Sequence, residues 1–241
     1  MNREVKMSYK KITFLLIVIL TSVSFAFAAS PIEVKNKIAD KAKIEGLQIR
    51  EENGKVMLEG LASTLWDKTQ AEKIASKELK TPVINLIAIQ STPKSDRDLV
   101  LDITARVRSE SSNYLFNLLS VEAHNGNVIF HGKVRDAYLR DVAIESAMQT
   151  PGVSSVIDQI QILPTSIGDD RLRAAIFERL TRDIHLYNYF LSSGPSINII
   201  VEGGRVTLVG NVYNNVDKVR AGLIASGTNG VLSVNNQLDV G

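Results

Sequence analysis

Gly204-Arg-Val-Thr-Leu-Val-Gly210 is the third appearance of one pattern, after Gly54-Lys-Val-Met-Leu-Glu-Gly60 and Gly126-Asn-Val-Ile-Phe-His-Gly132. Successive copies start 72 and 78 residues apart. That spacing is the size of a small domain rather than of a solenoid unit, so the chain reads as one module used three times. Each copy opens on a turn. Asn53-Gly54, Asn125-Gly126 and Gly203-Gly204 tolerate positive φ at both central turn positions and mark β-hairpins. The flanking strands are expected over 47–51 with 55–61, 119–123 with 127–134, and 197–202 with 205–212.

Strand alternation then assigns faces. Val56, Leu58 and Gly60 share one face of the second strand, as do Val128, Phe130 and Gly132, and Val206, Leu208 and Gly210. The apolar pair is the core face, and the closing glycine implies a helix backbone passing close, or a bulge. A phosphate-cradling role suits these glycines poorly, because the first one opens a strand instead of a helix.

A helix follows each hairpin. Residues 63–79 carry Ala71, Ile74, Ala75 and Leu79 at helical spacing, and 136–149 carry Leu139, Val142, Ala143 and Ala147. The third, at 215–226, carries Val216, Val219, Leu223 and Ala225 less regularly, with Asp136 and Asn215 as expected N-caps. A third strand closes each unit: Val83-x-Asn85-x-Ile87-x-Ile89, Val156-x-Asp158-x-Ile160-x-Ile162 and Val234-x-Asn236-x-Leu238-x-Val240. It begins 23 or 24 residues after the closing glycine in every copy. A helix also precedes each hairpin, at 31–43, 96–109 and 170–183, the last with Leu172, Ile176 and Leu180 on one face. The fold class is therefore α+β. Three tandem small α/β sandwich modules are expected, each ordered helix-strand-strand-helix-strand, with two helices on one face of a three-stranded sheet. The other face is left to water, a neighbouring module or a ligand.

That order, with G-x-V-x-L-x-G and a closing V-x-N-x-L-x-V strand, resembles the BON domain (bacterial osmotically inducible protein and nodulation domain). The likeness is strongest over 197–210 and 230–240, and good in the second copy. The first departs, with a short opening helix and Lys80-Thr81-Pro82 where Gly-Val is usual. The expected boundaries are 30–91, 95–164 and 168–241. The resemblance implies exported, mostly periplasmic proteins linked to envelope integrity and to osmotic or other stress, and contact with phospholipid membranes. It implies no catalytic residue and no cofactor.

The N-terminus reads as an export signal at 1–28. Arg3, Lys6, Lys10 and Lys11 precede an apolar run from Ile12 to Phe27 that ends at Ala26-Phe27-Ala28. Cleavage near Ala28 and a periplasmic location are expected, and an uncleaved inner-membrane anchor is the alternative. The chain has no cysteine, which excludes disulfides and thiolate-held metals. Without residues 1–28 it carries 24 basic and 25 acidic residues, a net charge of −1. Any attraction to an anionic surface must then be local, and nucleic-acid binding is disfavoured.

Catalytic signals are weak. His124, His131 and His185 are scattered, and no nucleophile elbow or HExxH is present. No metal site is assigned. Asp169 and Asp170 are expected to cap a helix. For a membrane or partner surface the candidates are Arg173, Arg179 and Arg182 on a basic helix, with Tyr187, Tyr189 and Phe190 beyond it. Core filling is the competing reading of those aromatics. Ile84, Leu86 and Ala88 make the closing strand of the first module apolar on its second face too, which wants cover from another module or a partner. The function expected is non-enzymatic phospholipid binding. A protein-interaction scaffold or chaperone-like factor, touching other envelope proteins, is the alternative.

Overall fold

The computed structural model describes residues 29–52, 54–90, 94–110, 114–191 and 196–241. The expected export signal, Asn53 of the first turn, and residues 91–93 of the first linker lie outside the described residues. The first module comprises α1 (Pro31–Ala39), β1 (Ile44–Glu52), β2 (Lys55–Ala62), α2 (Leu65–Leu79), β3 (Val83–Asn85) and β4 (Ala88–Ile89). The second comprises α3 (Asp96–Glu110), β5 (Leu118–His124), β6 (Asn127–Val134), α4 (Ala137–Met148) and β7 (Ser155–Ile162). The third comprises α5 (Ile167–Arg182), β8 (Ile197–Glu202), β9 (Arg205–Val212), α6 (Asn215–Ser226) and β10 (Ser233–Val240). In the second and third modules a short 3-10 turn, Tyr114–Phe116 or Tyr187–Phe190, links the first helix to the hairpin.

The glycine-bracketed strand is central in every sheet. It pairs antiparallel with the strand before it and parallel with the strand that returns after the second helix. In the first module the returning strand lapses at Leu86 and Ile87 and resumes as β4 in the same register against β2. The three modules have separate cores, each pairing the inner face of the central strand with two helices. Val56 with Leu58, Val128 with Phe130, and Val206 with Leu208 are all buried. Each side chain of this size contributes about 1.5–3 kcal/mol on burial.

The second helix of each module lies against the sheet through an alanine pair one turn apart: Ala71 and Ala75, Ala143 and Ala147, Ala221 and Ala225, all fully buried. Small residues permit close approach. On α6 Ala225 is buried as expected, but the rest of the expected face is overturned: Asp217 and Ala221 point inward with it, and Val216, Val219 and Leu223 point to solvent. The expected caps are also adjusted. Asp136 caps α4 by accepting from the Leu139 N–H, but Asn214 rather than Asn215 caps α6, accepting from Asp217. On the closing strands, Asn85 and Asn236 donate to backbone carbonyls of the second helix, Lys68 and Lys218. Asp158 meets Arg140 of α4 at 2.6 Å instead. The polar position in the repeated closing strand is thus a tie between strand and helix.

The modules touch. Leu65 at the start of α2 packs on the core of the second module. Between the second and third, Asn198 of β8 donates to the carbonyls of Tyr114 and Asn117 at 2.9 and 3.0 Å. Phe116 sits edge-on to Phe177 of α5, and Phe177 edge-on to Phe190. Arg135 pairs with Asp170 at 3.1 Å.

Candidate functional site

The closing glycines are packed against a strand, not a helix. A Cβ on Gly132 would lie 2.0 Å from the Leu118 carbonyl oxygen, and one on Gly210 1.9 Å from that of Ser196. Opposite Gly60 the β1 register shifts between Glu45 and Gln48, so the bulge expected from sequence lies in the partner strand. In the second and third modules a carboxylate of the chain itself sits on the opening turn. Asp96 accepts from the backbone N–H groups of Asn125 and Gly126, and Asp169 from those of Gly203 and Gly204. Asp169 therefore clamps the hairpin turn, while Ser166 caps α5; the expected capping by the Asp169-Asp170 pair is corrected. The Gly126 and Asn125 N–H groups hold the Asp96 pKa below its ordinary value. For Asp169, burial pushes the pKa up, but the Gly204 and Gly203 donors with Arg173 and Ser166 outweigh it and leave it lowered.

Several candidates for a surface are not on the surface. Arg173 is only 4% exposed. Its guanidinium donates to Asp170 at 2.6 Å and to the Val201 carbonyl. The fully inward residues of α5 are Asp169, Arg173, Ile176 and Leu180, and the half-buried Leu172 packs against the same core, so Arg173 joins the expected apolar face. Tyr189 is 3% exposed; its hydroxyl donates to Asp217 at 2.7 Å and accepts from the Tyr213 N–H at 2.8 Å. Burial, reinforced by the Asp217 bond, raises its pKa. Phe190 packs edge-to-face on Phe177, which in turn meets Phe116 of the second module. Arg179 donates to the Gly227 carbonyl beyond α6, and Arg182 pairs with Glu178 one turn back. Tyr187 is exposed. Ile84 is half-buried, and Leu86 is left exposed by the described residues.

What the fold presents is an apolar row on α6. Val216, Val219 and Leu223, at i, i+3 and i+7, are 67%, 51% and 67% exposed, and Tyr213 just before the helix is 78% exposed. This row continues toward the exit of α5: the Tyr189 and Tyr213 rings lie 5.1 Å apart, and Arg220 bonds Asp183 at 3.1 Å. Ile184 and Tyr187, both exposed, stand on that segment. Lys218 and Arg220 are the helix's own cations beside the row, half-buried. The sequence carried the signal, an i, i+3, i+7 apolar set, but periodicity alone does not say whether such a set faces inward or outward.

On the second module, His131 and His124 both approach Glu122, at 3.4 and 3.8 Å, and His131 bonds Gln159 at 3.1 Å. Among the described residues no group of three His, Cys, Asp or Glu is placed to hold a metal ion. No helix among them is long and apolar enough to cross a membrane.

The family model for the BON domain matches residues 33–91, 98–164 and 168–241. Among curated proteins none matches the chain. Two solved structures of CdsD, a structural protein of the type III secretion system of Chlamydia trachomatis, are similar to it. One, of the C-terminal domain, is 13% identical, covering 87% of this chain and 96% of that one at a TM-score of 0.25. The other is also 13% identical, with coverages of 86% and 90% and a TM-score of 0.24. Superposition at that level is too loose for comparing sites.

Proposed function

The chain belongs to the BON domain family, and we propose that it is an exported, non-enzymatic periplasmic protein that binds phospholipid surfaces and supports the envelope under osmotic or other stress. The observation that carries the lipid reading is the outward apolar row of α6, continued by Tyr213, Ile184 and Tyr187. An amphipathic helix with its apolar side to solvent suits shallow insertion at a lipid interface, where tyrosines anchor at headgroup level. Val216, Val219 and Leu223, already partly exposed, contribute about 3–5 kcal/mol on transfer. That corresponds to weak, reversible binding at one site.

Charge plays a smaller part. Arg220 is paired with Asp183 and Arg182 with Glu178, which leaves Lys218 as the cation of α6 without an ion pair among the described residues. Binding to anionic vesicles should therefore fall only modestly with salt. The test is co-sedimentation with neutral and anionic phospholipid vesicles at two salt concentrations. Binding to both, stronger for the anionic set and lost in Val219→Glu/Leu223→Glu, is the expected result. No binding to either vesicle contradicts the reading.

A second reading, a scaffold for other envelope proteins, draws support from Leu86, exposed at the break between β3 and β4. Capture of a defined envelope protein that is lost in Leu86→Lys, without vesicle binding, favours it.

A further inference from the structure

The geometry points to a second site: a cleft between the sheets of the second and third modules that takes a neutral oligosaccharide. Its volume is about 550 Å³, within the range of small-molecule sites. It lies on the sheet side of the third module, whereas the lipid row lies on the helix side, so the two sites are independent.

Strand alternation builds the walls. On β7 the outward residues include Gln159 and Gln161; on β10 they include Asn235 and Gln237. All four carboxamides line the cleft. The same outward positions in the first module are Ile84, Leu86 and Ala88. Amides therefore occupy these positions only on the two sheets that line a common cleft. Gln161, Asn235 and Gln237 make no side-chain hydrogen bond to any described residue. Thr207 and Ser233 add hydroxyls to the lining. Leu118 and Ile200 supply apolar lining on β5 and β8, the strands nearest the junction held by Asn198. Lys133 of the second module and Glu202 of the third pair across the cleft at 2.5 Å.

The lining selects the chemistry. An anion finds little net charge, because Lys133 is neutralised by Glu202, and Arg205 is the remaining cation of the lining. A wholly apolar ligand would strip water from the amides without replacing their hydrogen bonds. A peptide added as a strand needs free main-chain groups on a sheet edge, and this cleft presents side chains standing off two sheet faces. A neutral sugar matches both parts of the lining. Its hydroxyls donate and accept, as carboxamides do, and its C–H faces suit Leu118 and Ile200. The cleft is open and its amides are solvent-exposed, so the affinity is low.

The test is an amide-detected NMR titration of the protein with three neutral probes: cellotetraose, maltotetraose and tetra-N-acetylchitotetraose. The expected result is saturable movement of the Gln161, Asn235 and Gln237 side-chain signals with at least one probe. Gln161→Leu/Gln237→Leu should weaken it by roughly tenfold or more. Leu223→Glu, on the lipid face, should leave it unchanged, so failure here and failure of lipid binding are separable. Thermal unfolding checks the double variant; Asn235→Ala, a single exposed change, supplies the same readout if it unfolds. No movement up to about 10 mM probe, undiminished movement in both variants, or stronger movement with inorganic phosphate or tetra-alanine overturns the proposal.

Discussion

Asp96 and Asp169 hold the hairpin turns of the second and third modules by a carboxylate that accepts two backbone N–H groups. Both have folded-state pKa values below the ordinary 3.8. A lowered carboxyl pKa stabilises the fold fully above the unfolded value and loses that contribution as pH falls through the folded one. Thermal unfolding should therefore be nearly flat from pH 7 to about 5 and fall steeply below about 4. Asp169→Asn should flatten part of that acid limb and cost about 1.5–3 kcal/mol at pH 7, because an amide oxygen cannot replace a charged acceptor of two bonds. Glycine acts at the same scale. Gly210, at φ 132°, has the Ser196 carbonyl where a Cβ would stand. Gly210→Ala should cost about 2–5 kcal/mol. Gly54→Ala, at φ 73° with open space around it, should cost about 1–2 kcal/mol. Equal losses for the two in denaturant unfolding would contradict this account of the motif.

At the scale of elements, the inward stripe of α5 contains Arg173, not an exposed basic face. Arg173→Ala should lower the stability of the third module by about 1–3 kcal/mol, by leaving the buried Val201 carbonyl without its donor, while Asp170 keeps Arg135. By the same reasoning it should not weaken vesicle binding of the folded protein. Much of this level was legible in the sequence. Alternating strands, hairpin glycines and the constant step to the closing strand specify the order of elements and the core of each central strand. What did not come through is the rotation of each helix about its axis. On α6, periodicity favours Val216, Val219 and Leu223 beside Ala225, but close packing on the sheet keeps only Ala225 of these and adds Ala221, which any composition-weighted reading ranks lower. Arg173 and Tyr189 were likewise hidden, because their burial depends on partners 28 residues away, the Val201 carbonyl and Asp217.

Across the whole molecule, the short linkers are matched by direct contact, and the junction of the second and third modules is made of named parts. Asn198 ties β8 to the backbone of the preceding module, and Phe116, Phe177 and Phe190 meet edge-to-face through it. Phe116→Ala with Asn198→Ala should loosen this junction, giving a larger radius of gyration in small-angle scattering while each module keeps its helical signal. An unchanged radius would mean that other contacts set the arrangement. The central claim concerns which side of the third module meets lipid. The chain has no cysteine, so single cysteines at Val219 on α6 and at Thr207 on the sheet side of the same module can each carry an environment-sensitive fluorophore. With anionic vesicles the account predicts a blue shift for the label at 219 and none for the label at 207; no shift at 219, or equal shifts at both, would contradict it.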